Sequence, residues 1–220
     1  MAVLPVDHIV FLVPHIDDYV EEFARVTGVT PLFGGAHAKM GTKNFLVRLD
    51  FGNDNPSYLE LLGLDDAQQG IRAEDTVFGV GKYGPDPYPH LFTWAIHPGD
   101  LGAVTGAATR RGVQVGDVRE WSRESPEGEL LEWRVAFNSE LPFGGLQPFL
   151  IDWGNTPHPS FNTALETLSV VELRLEHPSP EQLSQALSGL GLQVIPPISF
   201  GLVPTIFLTV DTPRGQISLH

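Results

Sequence analysis

Asp7-His8-Ile9-Val10-Phe11-Leu12-Val13-Pro14 decides the fold, because its pattern returns twice, as Leu91-Phe92-Thr93-Trp94-Ala95-Ile96-His97-Pro98 and as Val171-Glu172-Leu173-Arg174-Leu175-Glu176-His177-Pro178. Each copy is an apolar, β-branched or aromatic run of strand length, ended by a proline that cannot donate to a central ladder. A helical pattern follows each proline: Asp17 to Arg25, Asp100 to Arg111 and Ser179 to Leu190. Asp17, Asp100 and Ser179 are N-cap candidates, their side-chain oxygens meeting free backbone N–H groups. Gly28, Gly112 and Gly191 then stop the helices, at distances from the preceding proline that agree to within one residue.

Strand-like runs follow each helix. They are Thr30 to Phe33, Asn44 to Phe51 and Tyr58 to Leu62; then Gln114 to Trp121, Gly128 to Phe137 and Gln147 to Trp153; then Gln193 to Ile195, Thr205 to Val210 and Gln216 to His220. Turn residues separate them, as in Gly52-Asn53-Asp54-Asn55-Pro56 and Asp211-Thr212-Pro213-Arg214-Gly215. The chain therefore reads as an α+β protein of three βαβββ modules, at residues 1–64, 91–154 and the shorter 168–220. Links at 65–90 and 155–167 join them, and the first is long enough to form a pocket wall or lid. One such module leaves a sheet face bare and an edge unpaired. Two side by side curl into a cupped half-barrel with a pocket on the concave face, the third packing alongside.

Composition narrows the partners. The 220 residues carry 13 Lys+Arg against 27 Asp+Glu, a net charge of −14, with 42% hydrophobic and 18% charged residues. That is a globular composition whose anionic surface repels nucleic acid and anionic membranes, so the expected partner is a small molecule. With no cysteine, disulfides, thiolate metal sites and a cysteine nucleophile are excluded. The start lacks the basic and long apolar regions of an export signal, and no apolar run is long enough to span a bilayer, which leads us to expect a cytoplasmic protein.

Repeated βαβββ units opening on Asp7-His8-Ile9-Val10, with Gly35-Ala36-His37-Ala38-Lys39-Met40-Gly41-Thr42-Lys43-Asn44 and Tyr58-Leu59-Glu60-Leu61 behind them, resemble the vicinal oxygen chelate superfamily. That superfamily includes glyoxalase I, extradiol dioxygenases and bleomycin-resistance proteins; the closer likeness is to the glyoxalase-like domain group. The resemblance implies a divalent metal (Zn, Mn, Fe, Ni or Co) held by His and carboxylate ligands from the first and fourth strands of two modules. Carried over to this chain, the ligands are His8 and Glu60. The metal would act as a Lewis acid on a substrate with vicinal oxygens, in isomerase or lyase chemistry.

The other modules do not repeat these ligands. Aligning the prolines sets Phe92 opposite His8 and Leu150-Ile151 opposite Glu60, while the third module offers Glu172 opposite His8, with Ser218 or His220 as weaker additions. Three arrangements stay open: the first and third modules face one another, the site has degenerated, or His37 supplies a third ligand. Glu172 is the candidate general base or third ligand; its plainer reading is a sheet residue paired with Arg174. His37, Thr42 and Asn44, beside Gly34, Gly35 and Gly41, are candidate substrate contacts in a glycine-rich loop. Alternation sets Glu60 on one face with Tyr58 and Leu62, where a charge is costly unless paired or bound to a metal. The alternative function is a metal-free protein that sequesters a small molecule, as bleomycin-resistance proteins do. Three modules leave an odd one free to make a homodimer.

Overall fold

The computed structural model describes residues 4–37, 39–68, 70–125 and 128–220. The order β-α-β-β-β occurs three times. The first set is β1 (Val6–Leu12), α1 (Ile16–Thr27), β2 (Leu32–His37), β3 (Thr42–Asp50) and β4 (Ser57–Leu64). The second is β5 (His90–Ile96), α2 (Leu101–Arg110), β6 (Asp117–Glu124), β7 (Leu130–Phe137) and β8 (Phe149–Asp152). The third is β9 (Thr167–His177), α3 (Pro180–Gly189), β10 (Ile198–Phe200), β11 (Thr205–Thr212) and β12 (Gly215–Leu219).

Local chemistry accounts for most boundaries. Asp100 caps α2, its side chain accepting from Ala103 N, and the backbone turns left-handed at Gly28, Gly112 and Gly191 just past the helices. Ser179 precedes α3 without a side-chain cap. The cap expected at Asp17 falls instead at His15; α1 starts at Ile16, which buries its side chain, so Asp17 and Asp18 occupy the first turn and complement the helix dipole. The glycine-rich stretch expected as a loop continues β2 to His37, the ladder to β3 absorbing a register shift between Phe33 and Gly35. Of its residues, Ala38 lies outside the described ones. In the third set the short strand falls at β10, beyond Pro196-Pro197, rather than at Gln193 to Ile195.

The two four-strand sets each form a cupped half-barrel, and the cups meet. β1 runs parallel to β4 and antiparallel to β5; β4 pairs with β3 and β3 with β2. On the other side β5 pairs with β8, β8 with β7 and β7 with β6. Among the described residues one pair, Ala36 with Glu124, joins β2 to β6 and returns the ladder to its start. It is thus the first and second modules that enclose the interior. The third attaches outside, through β9 alongside Arg48–Asp50 of β3, and its own sheet continues to β11 and β12.

Every residue of β1 is buried, because helices cover one face and the barrel interior the other. Ile9, Phe11, Leu59 and Leu61 join the helix-side core, whereas Val10, Leu12, Tyr58 and Leu62 join the interior cluster. Glu60 sits among the latter, so its carboxylate lies in an apolar interior that must supply it with partners.

Candidate active site

The site begins with an irregularity in β1. Its register with β5 passes from Val6 to His8, skipping Asp7, and such a bulge re-aims side chains that a regular strand would send to opposite faces. Asp7 and His8 therefore meet: Asp7 Oδ1 lies 2.6 Å from His8 Nδ1. Asp7 Oδ2 accepts from Nε1 of Trp153, just past β8, at 3.0 Å, with His158 Nε2 at 3.3 Å. Burial pushes the Asp7 carboxyl up, but the neighbouring His158 and His8 imidazoles outweigh it and hold the group far below the usual carboxylate range. An ionised Asp7 accepts from His8 Nδ1 and orients the ring so that Nε2 faces the cavity.

That face looks across β4. His8 Nε2 lies 3.7 Å from Glu60 Oε2, while Asn44 Nδ2 donates to Glu60 Oε1 at 2.6 Å. Asn44 Oδ1 is buried with no hydrogen-bond partner. It lies so close to Gly34 that a Cβ there would overlap it, which is why β2 needs a glycine at this point. His37 Nδ1 lies 3.0 Å from Thr42 Oγ1 across the β2–β3 hairpin. Burial lowers the His37 imidazole to about 4; Glu60 opposes that shift and Arg123 adds to it, so His37 is neutral at pH 7. Tyr58 stacks on His8, ring centroids 4.7 Å apart. Burial, then the charges of Asp7 and Glu60, push its hydroxyl well above the normal value, keeping it a hydrogen-bond donor.

The opposite wall is aromatic. Trp121, Trp133, Phe149 and Trp153 of the second module line the cavity with His8, His37, Asn44, Tyr58 and Glu60, and Arg123 reaches it from β6. From the first link comes Phe78, within the short 3-10 segment Val77–Tyr83 and left-handed at φ 54°. Its ring packs on Phe92, Trp121, Phe137 and Phe149. What remains open is about 30 Å³, room for roughly one or two waters. Link 65–90 therefore forms a wall of the cavity.

The expected site residues divide in two. His8, Glu60, His37 and Asn44 converge on the cavity, and Thr42 holds His37 from behind. Glu172 does not belong there. It lies exposed on β9 with Arg174 Nε at 3.8 Å, outside the barrel because the third module pairs only with the outer edge of β3. Ser218 lies on that outer sheet, and His220, just past its last strand, stacks on Phe207. Asp7 and Arg123 received no role from the sequence. The signal available for Asp7 was its place in the Asp-His pair.

A divalent metal fits this donor set poorly. His8 Nε2 and Glu60 Oε2 face one another with their second atoms held by Asp7 and Asn44, as metal ligands are often supported. The wall that should complete the set offers Phe149, Trp133 and Val135 instead. Among the described residues no group of three His, Cys, Asp or Glu side chains is placed to hold an ion. Sites for these metals usually take three or more protein ligands. The divalent-metal expectation is met by half a site.

A family model described as a glyoxalase-like domain matches residues 6–191. The chain belongs to the glyoxalase-like domain family. Among solved structures, a hypothetical protein from Staphylococcus aureus is 15% identical with a TM-score of 0.69, covering 98% of both chains. A variant methylmalonyl-CoA epimerase from Streptomyces coelicolor, in complex with 2-nitronate-propionyl-CoA, is 18% identical with a TM-score of 0.47; the match covers 68% of this chain and 97% of that one. The methylmalonyl-CoA epimerase of Mycobacterium tuberculosis is 17% identical with a TM-score of 0.42, at 74% and 97% coverage. These likenesses concern the fold. Among curated proteins none matches the chain. No helix among the described residues is long and apolar enough to cross a membrane.

Proposed function

We propose that this glyoxalase-like protein is a small-molecule isomerase or lyase that moves a proton on a carbon beside a carbonyl. The observation that carries the reading is the facing pair His8 Nε2 and Glu60 Oε2, 3.7 Å apart at the cavity, with Asp7 and Asn44 holding their far atoms. Two acceptors so oriented suit a substrate with oxygens on adjacent carbons. Glu60 takes the carbon-bound proton and delivers it to the neighbouring carbon. His8 takes the hydroxyl proton and returns it to the other oxygen. The protein ends unchanged, and the Tyr58 hydroxyl and Arg123 guanidinium offset charge on the enediolate between.

Incubation in D2O with a panel of α-hydroxycarbonyl compounds tests this. Deuterium incorporation seen by NMR, and lowered at least about 100-fold in Glu60→Gln and in His8→Ala, is the expected result. Unchanged incorporation in both folded variants overturns the assignment. Elemental analysis of protein purified without chelator decides the metal. About one divalent ion per chain, lost in the same two variants, would replace this account with the chelate chemistry the family resemblance implies.

A second reading is a metal-free protein that sequesters its ligand. The paired Trp133 and Trp153 rings, 5.3 Å apart, and the apolar second-module wall favour it. Tight binding without deuterium exchange for any compound is its signature.

A further inference from the structure

The second link carries Pro157-His158-Pro159. A residue before proline is held extended, and His158 stands at φ −60° and ψ 133°, so the backbone bearing its ring has little freedom. β3 fastens the turn that follows. Arg48 donates through Nε to the Ser160 carbonyl at 2.9 Å and through Nη2 to that of Asn162 at 2.7 Å. The His158 ring is buried, edge to face with both Tyr58 and Trp153.

Its two nitrogens differ in their surroundings. Ser160 N donates to Nδ1 at 3.2 Å, and Ser160 Oγ lies 2.8 Å from the same atom. A backbone N–H can only donate, so Nδ1 accepts and the ring proton sits on Nε2. Nε2 is buried without a well-directed hydrogen bond, and the acceptor within reach is Asp7 Oδ2 at 3.3 Å. A buried N–H left unpaired is costly, which draws it to that carboxylate.

We propose that His158 is a positioning residue for the proposed reaction: from the second link its Nε2–H steadies the Asp7 carboxylate, whose other oxygen orients His8. Asp7 stands between the two imidazoles, Oδ1 2.6 Å from His8 Nδ1 and Oδ2 towards His158. The Trp153 indole also donates to Oδ2, but a carboxylate held there by one donor can still swivel. A second donor on the same oxygen fixes its plane, and with it the His8 ring. Packing reinforces the link, since Tyr58 stacks on His8 at 4.7 Å and meets the His158 ring at 5.5 Å. His158 does not line the cavity, so it acts through Asp7 and not upon a substrate. This rests on the proposed function for the reaction that His8 serves, and extends its machinery to a residue outside the cavity.

NMR of the 15N-histidine-labelled wild type at neutral pH tests the inference without a substrate and without a variant that must fold. His158 should carry its proton on Nε2 and none on Nδ1; a proton on Nδ1 overturns the proposal. The His8 Nδ1 proton, shared with a carboxylate at 2.6 Å, should appear far downfield. His158→Phe keeps a ring against Tyr58 and removes the donor, whereas His158→Gln keeps an N–H and loses the ring. The downfield signal should broaden away in His158→Phe and persist in His158→Gln. Deuterium exchange on the α-hydroxycarbonyl panel should fall at least about tenfold in His158→Phe and stay within about threefold of wild type in His158→Gln. An unchanged His8 signal and exchange rate in folded His158→Phe overturn the proposal. So does the reverse order, a normal Phe variant beside an impaired Gln variant, which would make His158 a packing residue alone. No exchange in the wild type sinks the proposed function, while the His8 signal in His158→Phe decides separately whether His158 holds Asp7.

Discussion

Asp7 Oδ1 lies 2.6 Å from Nδ1 of His8, its neighbour in the chain, because the ladder between β1 and β5 skips a residue there. The second oxygen of Asp7 accepts the Trp153 N–H. An amide in place of the carboxylate cannot satisfy both donors, since whichever way it is turned one N–H faces another. Asp7→Asn should therefore cost about 1–3 kcal/mol of stability. Deuterium exchange should also fall by about 100-fold or more. Replacing Trp153 by Phe removes one of the two donors, so Asp7→Asn should cost less in that background. A double-mutant cycle in urea measures the coupling, and strict additivity would show that the two residues act separately.

The buried His37 makes a prediction about acid. Its imidazole titrates at about 4 in the folded protein, against 6.5 ordinarily. Between those values the unfolded chain binds a proton that the folded chain does not. Stability from this residue is thus complete above pH 6.5 and lost progressively as pH falls towards 4, by about 3 kcal/mol in all. Urea midpoints at half-unit pH steps should show this decline in the wild type. His37→Gln should lack that part of the slope, and parallel curves for the two proteins would contradict it.

Gly34 and Asn44 share one space. A methyl group at Gly34 overlaps Asn44 Oδ1 and would push the amide off Glu60. Gly34→Ala should destabilise by about 1–3 kcal/mol, as overpacking does. It should also lower exchange activity, since Glu60 loses the donor that orients it. A variant of normal stability and activity would mean that Asn44 has another place to go.

Phe78 offers a comparison between two small residues. Its left-handed backbone disfavours any side chain but not glycine. Phe78→Gly should therefore be about 1 kcal/mol more stable than Phe78→Ala, although glycine is ordinarily the worse residue. Both remove the ring that packs on Trp121, so acrylamide should quench the cavity tryptophans more strongly in both. If alanine is the more stable, the segment has changed its backbone.

Periodicity carried the fold well, because strand–proline–helix–glycine is a local pattern and each module states it separately. Alternation along Tyr58-Leu59-Glu60-Leu61-Leu62, a property of the strand itself, set Glu60 on the face of Tyr58 and Leu62; its pairing with His8 came from the family resemblance. What escaped was non-local. Alignment of Pro178 with Pro14 made Glu172 an equivalent of His8, but no local pattern records that β9 adds to the outside of β3. His37 looked like a loop residue because glycines usually break strands, whereas here Gly34 admits Asn44 and a bulge absorbs the rest. Arg123 drew no notice as one charge among several in Arg119-Glu120-Trp121-Ser122-Arg123-Glu124. Its importance comes only from the closure of β6 upon β2.

That closure has a consequence for how the molecule breathes. Among the described residues, eight pairs tie β3 to β4 and one pair ties β2 to β6. Local opening follows the weakest ladder, so amide protons at the β2–β6 seam should exchange with solvent long before those of β3 and β4. The barrel is in this sense a purse with one clasp: its lining can be reached by releasing the β2–β6 seam while both halves stay folded.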